Sequence, residues 1–264
     1  DLPTRIGGFA PENFDGTFSG AVPASVALAR SLNVPAARML RTHGIARFGD
    51  LLLELGLTSV GRPASDYGLT LILGGAEVTL EATAAAYATL ARTALAGAGR
   101  GGGRPLLRGL RLTPGPPLTA EGAPFDPGAA WTTLETMLEV SRPGAEAAWR
   151  SFASSRRVAW KTGTSFGFRD AWAIGVTPRH VVAVWVGNAD GEGRPGLTGH
   201  AAAAPIMFEL FDLLPRGAWF PRPLHHLVEI EVCASSGLRA TPDCPRTRTA
   251  AVPRKALPGS SCPF

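Results

Sequence analysis

Apolar side chains recur at helical spacing through three successive stretches near the N-terminus, residues 22–33, 35–44 and 46–56. Pro23 and Pro35 suit early helical positions, and Gly44 and Gly56 suit stops. Residues 67–80 read as a loop, and 81–96, rich in alanine, as a longer helix. A further helix is predicted over 129–140. The pattern then changes period. Runs of Val, Trp and Ile predict strands near 157–164, 170–177 and 180–188, joined by short turns into an antiparallel meander. An amphipathic stretch at 200–214 closes the unit as a helix. Past Pro215 the composition shifts, and one more strand is expected at 226–232. A boundary near residue 223 divides a main domain, 1–223, from a cysteine-containing segment, 224–264. Helices first, then a meander, predict an α+β fold with a helical cluster packed on an antiparallel sheet.

The 264 residues are 45% hydrophobic, enough for one large core and a small appendage. A net charge of +5 raises the question of nucleic acid, but the arginines are scattered singly, without a basic stripe interleaved with aromatics, so no nucleic-acid partner is expected. No apolar run approaches the ~18 residues of a membrane span. Gly97, Gly99 and Gly102 satisfy the letters GxGxxG, yet an Ala-rich helix precedes them and Pro105 follows, which is the wrong context for a dinucleotide site. They read as a flexible loop. No cofactor is expected. The five histidines include no HExxH, so no catalytic zinc is expected either.

Two of the 26 basic side chains are lysines, Lys161 and Lys255. Lys161 opens the run Lys161-Thr162-Gly163-Thr164-Ser165 at the end of a predicted strand. Alternation puts Lys161 and Gly163 on one face and Thr162 and Thr164 on the other. A compact ammonium, two hydroxyls and a glycine that admits close approach suit an anionic substrate. If the strand is an edge, the Thr164 N–H can face a developing oxyanion. The bland alternative is a strand that happens to end in a Gly-Thr-Ser turn. Ser31 and Asn33 form the one Ser-x-Asn of the chain, at a junction between helices. There a hydroxyl can shuttle a proton and an amide can bind substrate, or both can merely cap a helix. Asp170, just after the Lys-Thr-Gly strand, could orient a cleft wall.

Taken jointly these elements resemble the transpeptidase domain of bifunctional class A penicillin-binding proteins, most like the 1C branch. The segments FAPENFDGTFSG, ALARSLNVPAARML, LILGGAEVTL, WKTGTSFGFRDAW, VAVWVGNADG and CASSGLRATPDCP carry the resemblance across nearly the whole chain. It implies that Ser31 and Asn33 form the second catalytic motif, and that Lys161, Thr162 and Gly163 form the third, with Thr164 giving an oxyanion donor. It implies acylation of a serine by the D-Ala-D-Ala end of a peptidoglycan stem peptide, then transfer to an amine. β-Lactams would be captured by the same serine. It also implies a location on the outer face of the bacterial cytoplasmic membrane, through an N-terminal helix absent from this chain.

One element departs from the family. No Ser-x-x-Lys occurs: the residues three before Lys161 and Lys255 are Val158 and Val252. The nucleophile is therefore expected upstream of Asp1, and the chain by itself is expected to be inactive. A DD-carboxypeptidase or β-lactamase would share the same motifs, and a non-catalytic sensor of β-lactams or peptidoglycan would share the groove.

The three cysteines, Cys233, Cys244 and Cys262, lie in the last segment. Ten and seventeen residues separate them, which is not zinc-ribbon spacing, so no metal is expected. A disulfide from Cys244 to Cys262 is favoured over part of a metal site.

Overall fold

The computed structural model describes residues 1–99, 124–143 and 156–263. Helix α1 (Ala24–Ala29) leads into α2 (Asn33–His43) and α3 (Ile45–Glu54). A short α4 (Ala64–Tyr67) and a 3-10 turn (Gly68–Leu73) follow, where the sequence pattern reads as loop. Next come α5 (Leu80–Gly97) and α6 (Pro127–Met137). Residues 100–104 of the glycine-rich loop lie outside the described residues.

The expected meander forms. Strands β1 (Ala159–Thr164), β2 (Asp170–Val176) and β3 (Val181–Gly187) pair antiparallel in that order, with Lys161 opposite Ile174 and Gly163 opposite Trp172. Among the described residues β1 is therefore an edge strand of this sheet. The closing helix is not uniform: a π-helical turn (Gly199–Ala203) runs into α7 (Ala204–Asp212).

The sheet is covered on both faces, as its nearly unbroken apolar strands require. On one face Trp160, Ala173 and Val184 pack against Met207, Phe208 and Phe211 of α7. On the other, Ala159 and Val176 pack against Ala91 and Ala94 of α5 and Ala130, Leu134 and Met137 of α6. Ala130, Leu134 and Met137 recur at steps of four and three, so α6 presents one apolar stripe to the strands. Trp160, Phe211 and Leu134 are fully buried and contribute about 2–3 kcal/mol each. Gly175 lets α7 come close, since a Cβ there would lie 2.4 Å from Phe211. A third apolar cluster, with Leu40, Leu57, Tyr67, Leu69 and Leu71, holds α2 to the 3-10 turn.

Local signals start the helices. Asp126 caps α6 by accepting from the Gly128 N–H at 2.8 Å, with Pro127 in the first turn. Thr79 caps α5 in the same way through Ala82. α2 begins two residues before Pro35, and its cap comes from far away. The Asn13 Oδ1 accepts from the backbone N–H of Asn33 at 2.9 Å and of Val34 at 3.4 Å. Asn13 is itself buried and donates to the Asp1 carboxylate and to the Thr17 carbonyl.

Strand β4 (Leu227–Cys233) pairs with β5 (Thr247–Pro253) in a separate two-stranded sheet. Cys244 and Cys262, the pair expected to bridge, are not cross-linked in the structure, and neither is Cys233. No described helix is long and apolar enough to cross a membrane.

Candidate active site

The site begins with a strained residue. Ser31, in the tight turn between α1 and α2, has φ of +58°, a left-handed conformation that costs a side-chain-bearing residue about 1–2 kcal/mol. Backbone bonds from Ser31 N–H to the Leu28 carbonyl and from Leu32 N–H to the Ala27 carbonyl hold that turn. The turn projects the Ser31 hydroxyl towards β1. There the Lys161 Nζ donates to Ser31 Oγ at 2.6 Å and to the Thr162 carbonyl at 2.9 Å. Two elements 130 residues apart thus meet through one ammonium.

Burial lowers the Lys161 pKa to about 8. A neutral hydroxyl and a carbonyl replace water around the ammonium without supplying a negative charge. The side chain therefore gives up a proton far more readily than an exposed lysine, and a hydroxyl lies within reach to exchange it.

The edge of β1 adds backbone donors. The Ser165 N–H bonds to the Asp170 carbonyl across the β1–β2 ladder. Antiparallel alternation then turns the N–H and C=O groups of Thr164 and Thr162 to the open edge, where the Thr162 carbonyl meets Lys161. The threonine side chains take the opposite face from Lys161. Thr164 Oγ1 accepts from the Gly199 N–H at 3.1 Å, tying β1 to the π-helical turn. Gly199 sits so tightly that a Cβ on it would lie 2.3 Å from the Trp172 carbonyl and 2.5 Å from that of Gly163. The glycine of Lys-Thr-Gly therefore borders a close backbone packing as well as the cleft. Gly163 itself has room, with a Cβ meeting nothing nearer than Trp172 at 3.5 Å.

The other expected residues are placed less centrally. The Asn33 Nδ2 donates to the Glu12 carbonyl at 2.8 Å, so its amide is bound to the N-terminal segment. Asp170 accepts from Trp185 Nε1 at 2.9 Å and pins the β3 end of the sheet rather than touching Lys161. Asn13 and Gly199 were not among the expected site residues. Asn13 shares only its rarity with Asn33, the two being among three asparagines in the chain. A cavity of about 340 Å³ lies elsewhere, at the β2–β3 turn, and Arg156, Arg179, His180 and Arg216 line it.

A sheet between helical layers, with a lysine at an edge strand facing a serine on a helical corner, defines the class. The chain is homologous to penicillin-binding proteins and has their transpeptidase-type fold. Penicillin-binding protein 1C of Escherichia coli (strain K12) is 40% identical over 222 residues, 84% of this chain and 27% of the relative. Penicillin-binding protein 1B of Vibrio cholerae is 31% identical over 206 residues, 75% of this chain and 25% of the relative. The chain thus spans about a quarter of the curated relatives it matches. Among solved structures, penicillin-binding protein 1A from Haemophilus influenzae has a TM-score of 0.70 at 19% identity, covering 99% of this chain and 44% of that one. The PonA1 protein from Mycobacterium tuberculosis in complex with penicillin V has a TM-score of 0.59 at 20% identity, covering 82% and 64%. No family model matches the chain.

Proposed function

We propose that this chain is the larger part of a DD-transpeptidase domain that forms peptidoglycan cross-links through a serine acyl-enzyme and is acylated by β-lactams. The observation that carries the reading is the 2.6 Å contact between Lys161 and Ser31 beside the open edge of β1. In this reading the pair relays the proton that must reach the leaving amine, and the Thr164 N–H stabilises the oxyanion. Thr162 and Gly163 shape the edge that receives the substrate carboxylate. Asn33 holds the neighbouring segment in place and contacts the stem-peptide amide. The chain contains no Ser-x-x-Lys, so the nucleophile would come from residues outside it, and residues 1–264 alone would form no acyl-enzyme. The cleft would work on the extracytoplasmic face of a bacterial membrane. The relatives, penicillin-binding proteins by name, and the penicillin V complex of a structural neighbour support the β-lactam part of this reading.

Labelling with a fluorescent penicillin tests it. The longer protein, carrying a Ser-x-x-Lys upstream, should be labelled covalently, and residues 1–264 alone should not. Lys161→Ala in the longer protein should slow acylation about 100-fold or more. Labelling at the unaltered rate would remove Lys161 from the chemistry.

A further inference from the structure

The C-terminal segment contains a second cluster that the cleft does not use. Cys233 ends β4, Cys244 lies in the turn that follows, and Cys262 comes from beyond β5. The Cys262 N–H bonds to the Arg239 carbonyl at 2.8 Å, and this bond, with the Arg239–Ser261 bridge, carries Cys262 back to the other two. The three Sγ atoms all lie within 4.8 Å of one another, and Cys233 and Cys262 are buried.

We propose that Cys233, Cys244 and Cys262 bind one thiophilic divalent cation of the zinc type, occupying three corners of a tetrahedron and leaving the fourth to solvent or an exogenous donor. Zinc–thiolate bonds of about 2.3 Å place ligand sulfurs about 3.8 Å apart in a tetrahedral site, a small adjustment from the separations found. A disulfide would use two of these sulfurs and leave unexplained why the third also lies within 4.8 Å of both. The polar surroundings favour sulfur as an acceptor. The Ser236 hydroxyl donates to Cys262 Sγ at 3.3 Å, and the Thr241 N–H donates to Cys244 Sγ at 3.3 Å. Such donors orient and stabilise thiolate ligands. Three thiolates so close repel one another unless a cation lies between them. Binding would displace the thiol protons to solvent, with no change in oxidation state.

The fold also gives the site a purpose. A two-stranded sheet such as β4–β5 is marginal by itself, and small modules of this kind are commonly held by a metal or a disulfide. A cation here would join the end of β4, the following turn and the end of the chain.

Cobalt substitution decides the matter. Residues 1–264, purified with a phosphine reductant and without air, should bind one Co²⁺ per chain, with a sulfur-to-metal charge-transfer band and the visible bands of tetrahedral cobalt. All three thiols should become protected from alkylation, and zinc should displace the cobalt. Ser236→Ala leaves the ligands in place and should weaken binding about 10- to 100-fold. Cys233→Ser, Cys244→Ser and Cys262→Ser should each abolish the charge-transfer band. The proposal fails if reduced wild-type chain gives no such band, if fewer than three thiols are protected, or if the signal survives loss of any one cysteine. It also fails if Ser236→Ala binds as tightly as the unaltered chain, or if chain isolated from its native compartment holds a disulfide among these residues and no metal.

Discussion

The Lys161 ammonium reaches Ser31 Oγ at 2.6 Å and has a neutral oxygen at each of its two contacts. Burying this ammonium without a negative partner lowers its pKa at the expense of stability, an arrangement common at functional sites.

Because the chain has only two lysines, their resonances can be followed individually after ¹³C-dimethylation. One of them should titrate near pH 8, and Lys161→Met should remove that signal. A chain in which both signals titrate above pH 10 would contradict the buried environment described for Lys161.

The same burial sets a pH dependence of stability. The folded-state pKa of Lys161, about 8, lies below the unfolded value of 10.5, so between these limits the unfolded chain binds more protons. Stability should therefore rise with pH across that window relative to a Lys161→Met variant. Relative to that variant, the unaltered chain should gain up to about 3 kcal/mol in going from below pH 8 to above pH 10.5. Denaturant melts of both proteins at pH 7 and pH 10 provide the comparison.

Substitutions at Ser31 separate strain from hydrogen bonding. Both Ser31→Ala and Ser31→Gly remove the hydroxyl that Lys161 contacts, but only glycine accepts φ of +58° without penalty. Ser31→Gly should be more stable than Ser31→Ala by about 1 kcal/mol, read from urea midpoints. Equal stability would mean that the turn relaxes out of the left-handed region.

Asn13→Ala should lower stability by about 1–2 kcal/mol, since it removes the cap of α2 from a buried position. Thermal unfolding checks this. Because α2 leads directly from the Ser31 turn, the same variant should also broaden the resonances of Ser31 and Asn33.

Gly199→Ala forces a methyl group against two carbonyl oxygens of the sheet and should cost roughly 1–3 kcal/mol. Gly196→Ala, in the loop just before it, meets no neighbouring atoms but has φ of +84°, and should show only the smaller backbone penalty. Similar losses for the two would remove the packing argument.

Much of the architecture is legible in the chain because its signals are local. The Val- and Trp-rich runs between short turns form the meander, and Lys161 falls on an edge strand facing Ser31. What escaped the sequence pattern depends on distant partners or weak composition. β5, Thr247–Pro253, carries threonine, arginine and alanine with little apolar weight, and it is a strand because β4 pairs with it. Residues 68–73 read as loop, yet Leu69 and Leu71 bury against α2 and the backbone coils into a 3-10 turn. The start of α2 at Asn33 needs the side chain of Asn13, twenty residues away, and no local rule reports it. The amide of Asn33 is engaged by Glu12 for the same reason.

The missing side chain of Gly199 governs how the crevice can move. With nothing but hydrogen between the π-helical turn and the carbonyls of β1 and β2, and Thr164 hydrogen-bonded to it, that wall is packed too closely for the turn to slide on the sheet. The opposing corner at Ser31 has less to resist widening for a bulky ligand, since one ammonium contact and one left-handed turn hold it there.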